Sequence, residues 1–281
     1  MIGFPERKLV VAMQQLLLSE KRRFASCPVS CKRLGQRIAS LADYFAAISG
    51  VVSGTDTFWF RGHAEPQWSL TPGALRPLRL ADRKRALELM SDFKRIAEAK
   101  LARLPDPEDE FKWAQIAQHY GLPTRLLDWT ESAITALYSA CLGPKTDGMV
   151  FVLNPIELNR LGDPSRRRIL DPQSDRDLIQ KYLKHGPSEP KKRRSYPVAV
   201  NPVWSSERLI VQKGTFTLHG SLFSLDKAGV SSLVAVPIMR DVKSGLRLEL
   251  RRVGVDEMTL FPELEHSCRH LKMQSGLMEF D

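Results

Sequence analysis

The chain is poor in cysteine and lacks the common signatures of phosphate binding and nucleophilic catalysis. Four cysteines in 281 residues, Cys27, Cys31, Cys141 and Cys268, are too few and too scattered for a disulfide framework, which favours a reducing cytoplasm. Cys27 and Cys31 have a suggestive spacing, but a structural zinc site usually needs four ligands and no matching Cys/His pair lies nearby, so no metal site is predicted. There is also no glycine-rich phosphate loop, dinucleotide-binding fingerprint, zinc ribbon or nucleophile elbow.

Long hydrophobic runs are also missing. The apolar stretch over residues 9–18 is short, is interrupted by Gln14 and Gln15, and is followed by basic residues without a small-residue cleavage site. It makes a poor signal peptide and a poor membrane span, so we expect no membrane association. Residues 1–35 are interpreted as a basic N-terminal extension, which either packs on the domain or binds a protein partner.

Positive charge is the strongest compositional feature. The formal net charge is +10 and 43% of the residues are hydrophobic, which suits a globular core with a basic surface. Such a balance raises the local concentration of anionic partners, of which nucleic acid is the commonest. The alternative is a solvated basic surface without a specific partner.

Hydrophobic patterning predicts a single mixed α+β domain over residues 36–275, with a central β-sheet and flanking helices. The stretch from Arg160 to Arg194 interrupts this pattern with eleven Lys/Arg against five Asp/Glu, and proline and glycine lie between them. We expect it to be a basic, flexible and exposed insert. The predicted helices cover about residues 36–49, 87–104, 109–120, 133–141, 242–253 and 260–273, and the predicted strands cover about 57–60, 124–129, 148–153, 196–200, 215–218 and 233–238.

Polar residues concentrate in two segments that lie at predicted element ends. Arg61, Gly62 and His63 follow an aromatic strand, where the guanidinium suits a phosphate and Gly62 allows close backbone approach. The stretch from Gln118 to Thr130 places polar groups on a Gly-Leu-Pro turn and a short apolar strand. Its candidates are His119 as a general base or ligand-orienting donor, and Arg125, Asp128 and Thr130 as further site residues.

Each of these candidates also has a structural interpretation. Arg61 can pair with an acid such as Asp128, and His119 can interact with the dipole at a helix C-terminus. Arg125 and Asp128 are three residues apart, so on a regular strand they point to opposite faces. Asp128 can cap the next helix, and one carboxylate can combine capping with a role in a site.

These segments make the chain resemble the FRG-domain family, which is named after a Phe/Tyr-Arg-Gly tripeptide, here Phe60-Arg61-Gly62. Two later segments resemble the same family, namely the one from Arg208 through Gln212 to Phe216 and the Leu-Phe-Pro-acid-Leu-acid sequence at 260–265. The resemblance implies a bacterial or phage module of unsettled biochemistry, with a role in bacterial conflict or phage defence. We expect a nucleotide or nucleic acid to bind a pocket where Arg61, His119, Arg125 and Asp128 converge, with Arg208 and Gln212 as further contacts.

Two enzymatic alternatives stay open. An ADP-ribosyltransferase-like enzyme would bind a nicotinamide dinucleotide (NAD) with Arg61 and use Glu265, because Arg61, the Asp128–Thr130 joint and Glu263-x-Glu265 occur in the order found in several such enzymes. The competing interpretation makes both glutamates first-turn acids of a helix that follows Pro262. A phosphodiester hydrolase using His119, Asp128 and a metal is the second alternative, although no dense carboxylate cluster supports it.

Overall fold

The chain folds around one mixed sheet, whose geometry comes from a computed structural model. The structure describes residues 32–275 except 53, 55, 77–79, 144, 185–195, 221–223, 228 and 232. Seven strands form the sheet in the order β1-β7-β4-β2-β3-β6-β5, and every pair is antiparallel except β1 with β7. The strands are β1 (Lys32–Arg33), β2 (Trp59–His63), β3 (Leu126–Thr130), β4 (Gly148–Leu153), β5 (Val198–Val200), β6 (Gly214–Leu218) and β7 (Val234–Ile238).

Ten α-helices surround this sheet in the described part of the chain. Hydrogen bonds from side chains cap several of them, as when Ser40, Asp109 and Ser132 accept backbone N–H groups of the first turn. The helices are α1 (Leu41–Ser49), α2 (Leu80–Glu98), α3 (Glu110–His119), α4 (Ala133–Ala140), α5 (Pro155–Gly162), α6 (Arg176–Lys184), α7 (Glu207–Val211), α8 (Arg240–Arg252), α9 (Glu257–Leu260) and α10 (Leu264–Gln274). The predicted α+β class with a central sheet is confirmed.

The two faces of the sheet are covered by different helices, because successive side chains of a strand point to opposite faces. Phe60 faces a core built with α1, α4 and α8. Trp59 lies on the other face, in a core that includes Phe151 and the α5 residue Leu158. Alternation along β2 therefore puts Arg61 and His63 on the Trp59 face, and the Phe60 face receives Gly62.

Gly62 lets α4 lie directly on the sheet. A Cβ atom at this position would stand 1.9 Å from the carbonyl oxygen of Ala136 and 2.7 Å from the amide nitrogen of Ala140. Gly148 on the neighbouring β4 is similar, with 2.2 Å from such a Cβ to the carbonyl oxygen of Ala140. The tripeptide glycine thus serves close packing of a helix on the sheet, whereas the sequence had suggested close approach of a ligand.

Several predicted boundaries shift, and the causes are local. Helix α1 begins at Leu41, because Ser40 caps it. Strand β2 continues through Arg61 to His63, since β4 pairs with all five of its residues. The predicted insert contains α6, whose Ile179 is buried, and Leu170, which bridges to Val200 of β5. Residues 1–31 of the extension, including Cys27 and Cys31, and the basic run at 191–194 lie outside the described residues.

Candidate functional site

The candidate site lies where β2 and β3 separate. These strands pair at a single position, Phe60 with Thr130, whereas β2 pairs with β4 along its whole length and β3 pairs with β6 along its whole length. Beyond Phe60 the ladder between β2 and β3 stops, and the side chain of Arg61 reaches across to β3. The ladder is therefore interrupted, and we call this break, which the Arg61 guanidinium occupies, the opening between β2 and β3.

Arg61 is fixed by two hydrogen bonds. Its Nε–H donates to Nε2 of His63 at 2.9 Å, and its Nη1 donates to the main-chain carbonyl of Asp128 at 2.5 Å. The side chain is only 17% exposed, while the Asp128 side chain, whose Oδ2 lies 3.9 Å from Nη1, is 61% exposed. Burial lowers the pKa of Arg61 to about 10, against an opposing effect of Asp128, so the group stays cationic at neutral pH.

His63 orients that guanidinium from behind. The imidazole is 1% exposed, and its ring centroid lies 5.0 Å from that of Phe151. Since Nε2 accepts the Arg61 hydrogen bond, the ring is neutral and carries its proton on Nδ1. Burial, followed by the charges of Arg61 and Arg76, lowers the pKa of His63 to about 2.

This buried neutral histidine makes stability depend on pH in a definite direction. The folded-state pKa lies below that of the unfolded chain, so the unfolded state binds the extra proton and folding stability falls as the pH drops below about 6.5. Between pH 7.5 and 5 the parent chain should lose about 2 kcal/mol more than a His63→Gln variant. Urea unfolding at both pH values measures the difference, and equal losses would contradict it.

Asp128 is held by α3 and does not cap α4. Gln118 donates from Nε2 to Oδ1 of Asp128 at 2.5 Å and accepts a hydrogen bond from the Thr124 hydroxyl. The cap of α4 is Ser132, so the capping role considered for Asp128 is wrong. The carboxylate of Asp128 is thus engaged at Oδ1 by Gln118 but stays 61% exposed beside the opening.

Arg125 and Thr130 contact other parts of the chain. Arg125 is 2% exposed, and its Nη1 donates to the carbonyls of His219 at 3.3 Å and Gly220 at 3.1 Å. The hydroxyl of Thr130 donates to the carbonyl of Gln212 at 2.6 Å. Both residues therefore join β3 to the segments before and after β6.

Arg208 and Gln212 bind the Leu-Phe-Pro-acid segment. The Arg208 guanidinium lies 4.7 Å from the ring centroid of Phe261 and 3.6 Å from Oε1 of Glu263, and Gln212 donates to the carbonyl of Leu260 at 2.9 Å. The two segments that suggested the family in the second half of the chain thus contact each other. The sequence had suggested Arg208 and Gln212 as ligand contacts and gave no sign of this partner segment.

Glu265 and His119 occupy separate places in the fold. Glu265 is exposed in the first turn of α10, and the carbonyl of Glu263 accepts the first hydrogen bonds of that turn, in agreement with the helix-acid interpretation. His119 is exposed at the end of α3, in a groove lined by residues that include Arg103, Tyr120 and Ser206 but neither Arg61 nor Asp128. The structure thus joins Arg61, His63 and Asp128, and the α3 side chain that reaches Asp128 belongs to Gln118.

The part of the chain that the structure describes holds no candidate metal cluster and no candidate membrane span. No three His, Cys, Asp or Glu side chains there are arranged to hold a metal ion. None of the described helices is long and apolar enough to cross a bilayer.

The fold and site define an α+β domain whose sheet opens around a fixed arginine. Comparison with protein families adds that the FRG domain model matches residues 56–148, a range that includes Arg61, His119 and Asp128. The chain therefore carries an FRG domain, and the resemblance found in the sequence is confirmed; the segments at 208–216 and 260–265 lie beyond the matched range. No curated protein and no solved structure matches the chain.

Proposed function

We propose that this chain binds a nucleotide or a nucleic acid at the opening between β2 and β3, with Arg61 as the phosphate contact. The setting implied by the family resemblance, bacterial conflict or phage defence, is part of the proposal. A net charge of +10 supports it, because a basic protein attracts polyanions before any specific contact forms.

The observation that carries the proposal is the fixed guanidinium of Arg61. Its Nε and Nη1 are occupied by His63 and Asp128, which sets the plane of the fork before a ligand arrives. The remaining N–H groups of Nη1 and Nη2 would then form the two parallel bonds by which a planar guanidinium binds phosphate, and a surrounding of low dielectric strengthens them. The exposed carboxylate of Asp128 supplies the complementary group, an acceptor for the hydroxyl or amino groups of a nucleotide.

The described contacts favour neither enzymatic alternative. The transferase alternative needs a glutamate near Arg61, but Glu263 contacts Arg208 and Glu265 is an exposed first-turn acid. The hydrolase alternative needs His119 beside Asp128 together with a metal, and His119 lines a different groove. A binding site is the function that the geometry supports best.

Arg61→Lys tests the proposal, because lysine keeps the charge but cannot form the fork. We expect the affinity of the variant for nucleotides or single-stranded nucleic acid to fall at least about tenfold. This corresponds to a loss of about 1.4 kcal/mol in binding free energy. Fluorescence anisotropy and isothermal titration measure affinity, and thermal unfolding reports whether the fold persists.

Arg95→Lys is the matched control, since Arg95 is 78% exposed and its ion pair among the described residues is with Asp92 along α2. It should bind like the parent chain. Equal affinity of Arg61→Lys and parent, or a parent that binds neither nucleotides nor nucleic acid, would overturn the proposal.

The basic run at 191–194 provides a second, independent prediction. Replacing Lys191, Lys192, Arg193 and Arg194 with serine should weaken nucleic-acid binding and flatten its salt dependence, because each neutralised phosphate releases counterions. The melting temperature should hardly change, since the sequence predicts an exposed insert here and exposed charges contribute little to folding. A salt series of binding measurements checks this, and an unchanged slope would remove the run from the interface.

A further inference from the structure

The loop after β2 places an exposed tryptophan beside the Arg61 site. The ring of Trp68 lies 5.9 Å from the ring of His63 at an interplanar angle of 62°, and His63 in turn accepts the hydrogen bond of Arg61. Trp68 is nevertheless 49% exposed, whereas Trp59, Trp113 and Trp129 are buried. Trp204 is also exposed, at 58%, but the ring contact with His63 puts Trp68 beside the Arg61 site.

The loop after β2 also carries a second arginine. Arg76 is exposed, its Nε–H donates to the carbonyl of Thr71 at 2.9 Å, and its charge lowers the pKa of both Arg61 and His63. Among the described residues, the carboxylate that forms an ion pair with Arg61 is that of Asp128, at 3.9 Å. Arg61 thus has an exposed acid as its ion-pair partner and is subject to the like charge of Arg76, so an anion bound between the two guanidinium groups would relieve their repulsion.

The loop that carries Trp68 and Arg76 is anchored. Leu70 is fully buried, its N–H donates to the Asp226 carboxylate at 3.0 Å, and its carbonyl accepts from Leu225 at 3.1 Å. Farther along, the N–H of Ala74 donates to the carbonyl of Thr124 at 3.0 Å. Trp68 and Arg76 are therefore presented by a braced backbone, which lowers the entropic cost of binding.

We propose that Trp68 stacks the base of a nucleotide whose phosphate lies between Arg61 and Arg76. The inference rests on the proposed function and narrows its ligand to a nucleotide unit with an accessible base, either free or in a single strand. Bases inside a duplex are already stacked and cannot reach the indole, whereas unpaired bases commonly stack on aromatic side chains.

Intrinsic fluorescence tests the stacking directly. The exposed Trp204 is replaced first by phenylalanine, so that Trp68 becomes the exposed tryptophan among the described residues. Two probes carry a base: adenosine monophosphate represents a free nucleotide, and a short single-stranded RNA represents a nucleotide unit within a strand. Ribose 5-phosphate is the matched probe that has the phosphate but no base. At least one nucleotide probe should quench the fluorescence, and the quenching should disappear in Trp68→Phe.

Affinities separate this inference from the proposed function. Trp68→Ala should weaken binding of the nucleotide probe at least about fivefold but leave ribose 5-phosphate unchanged, and Trp68→Phe should retain most of the affinity. Arg76→Gln should weaken both. If the parent binds the nucleotide probes no better than ribose 5-phosphate, or prefers duplex RNA, base stacking is overturned while the anion site of Arg61 stands. If Arg61→Lys binds every probe like the parent, the proposed function fails, and this inference fails with it.

Discussion

Gly62→Ala should destabilise the domain by more than about 3 kcal/mol, a loss at the upper end for added methyl groups in a packed core. The reason is that the new Cβ would overlap backbone atoms of α4, the carbonyl oxygen of Ala136 at 1.9 Å and the amide nitrogen of Ala140 at 2.7 Å. Backbone cannot rotate away as a side chain can, so the whole helix must move off the sheet. Equilibrium urea unfolding measures the change.

Gly245→Ala is the control for that experiment. Gly245 lies within α8, is exposed, and has no atom within 4 Å of its would-be Cβ, so alanine should stabilise the helix by about 1 kcal/mol. The same glycine-to-alanine substitution should therefore lower the free energy of unfolding at Gly62 and raise it at Gly245. A Gly62→Ala variant as stable as the parent would contradict the packing of α4 on the sheet.

Lys243→Met should cost about 3 kcal/mol or more, because it removes a buried cation from three oxygens. Lys243 is fully buried, and its Nζ donates to the carbonyls of Ala64 at 2.9 Å, Leu142 at 3.0 Å and Gly143 at 3.1 Å. Ala64 directly follows β2, and Leu142 and Gly143 follow the end of α4. The last carbonyls of a helix have no hydrogen-bond partner within it. Burial lowers the pKa of Lys243. The three carbonyl oxygens replace the hydration that the ammonium group loses on burial.

Lys84→Met is the matched control in an exposed helical position of α2, and its effect should stay within about 0.5 kcal/mol. Urea unfolding of the parent, Lys243→Met and Lys84→Met under the same conditions measures the two changes in stability. Similar losses at Lys84 and Lys243 would mean that the ammonium does not hold the strand and helix ends together.

The elements of the fold were largely predictable where local signals bound them. Strand β4 has the predicted limits, because Gly148 precedes an apolar run that Asn154-Pro155 ends. Helix α3 begins after its cap, Asp109, as its pattern indicated. The separation of β2 from β3 was not predictable, since it depends on how two distant segments pair.

The site was predictable in its residue types but less so in its partners. Arg61 and Asp128 were foreseen as neighbours, whereas the use of Gly62 for helix packing, and of Gln118 rather than His119 against Asp128, follows from how α3 and α4 dock. The helical phase of α3 fixes which of two adjacent side chains reaches β3. Trp68, Arg76 and Lys243 carried no sequence signal, because their roles depend on tertiary contacts.

The most direct test of the central claim is the Nε–H resonance of Arg61 in a nitrogen-15 NMR spectrum, assigned by its loss in Arg61→Lys. The hydrogen bond to His63 should protect this proton from exchange and make its signal observable in the free protein. Adding single-stranded RNA or adenosine monophosphate should shift that signal in a saturable way, with Arg95 unaffected. A signal that stays in place while either ligand binds elsewhere would contradict the account.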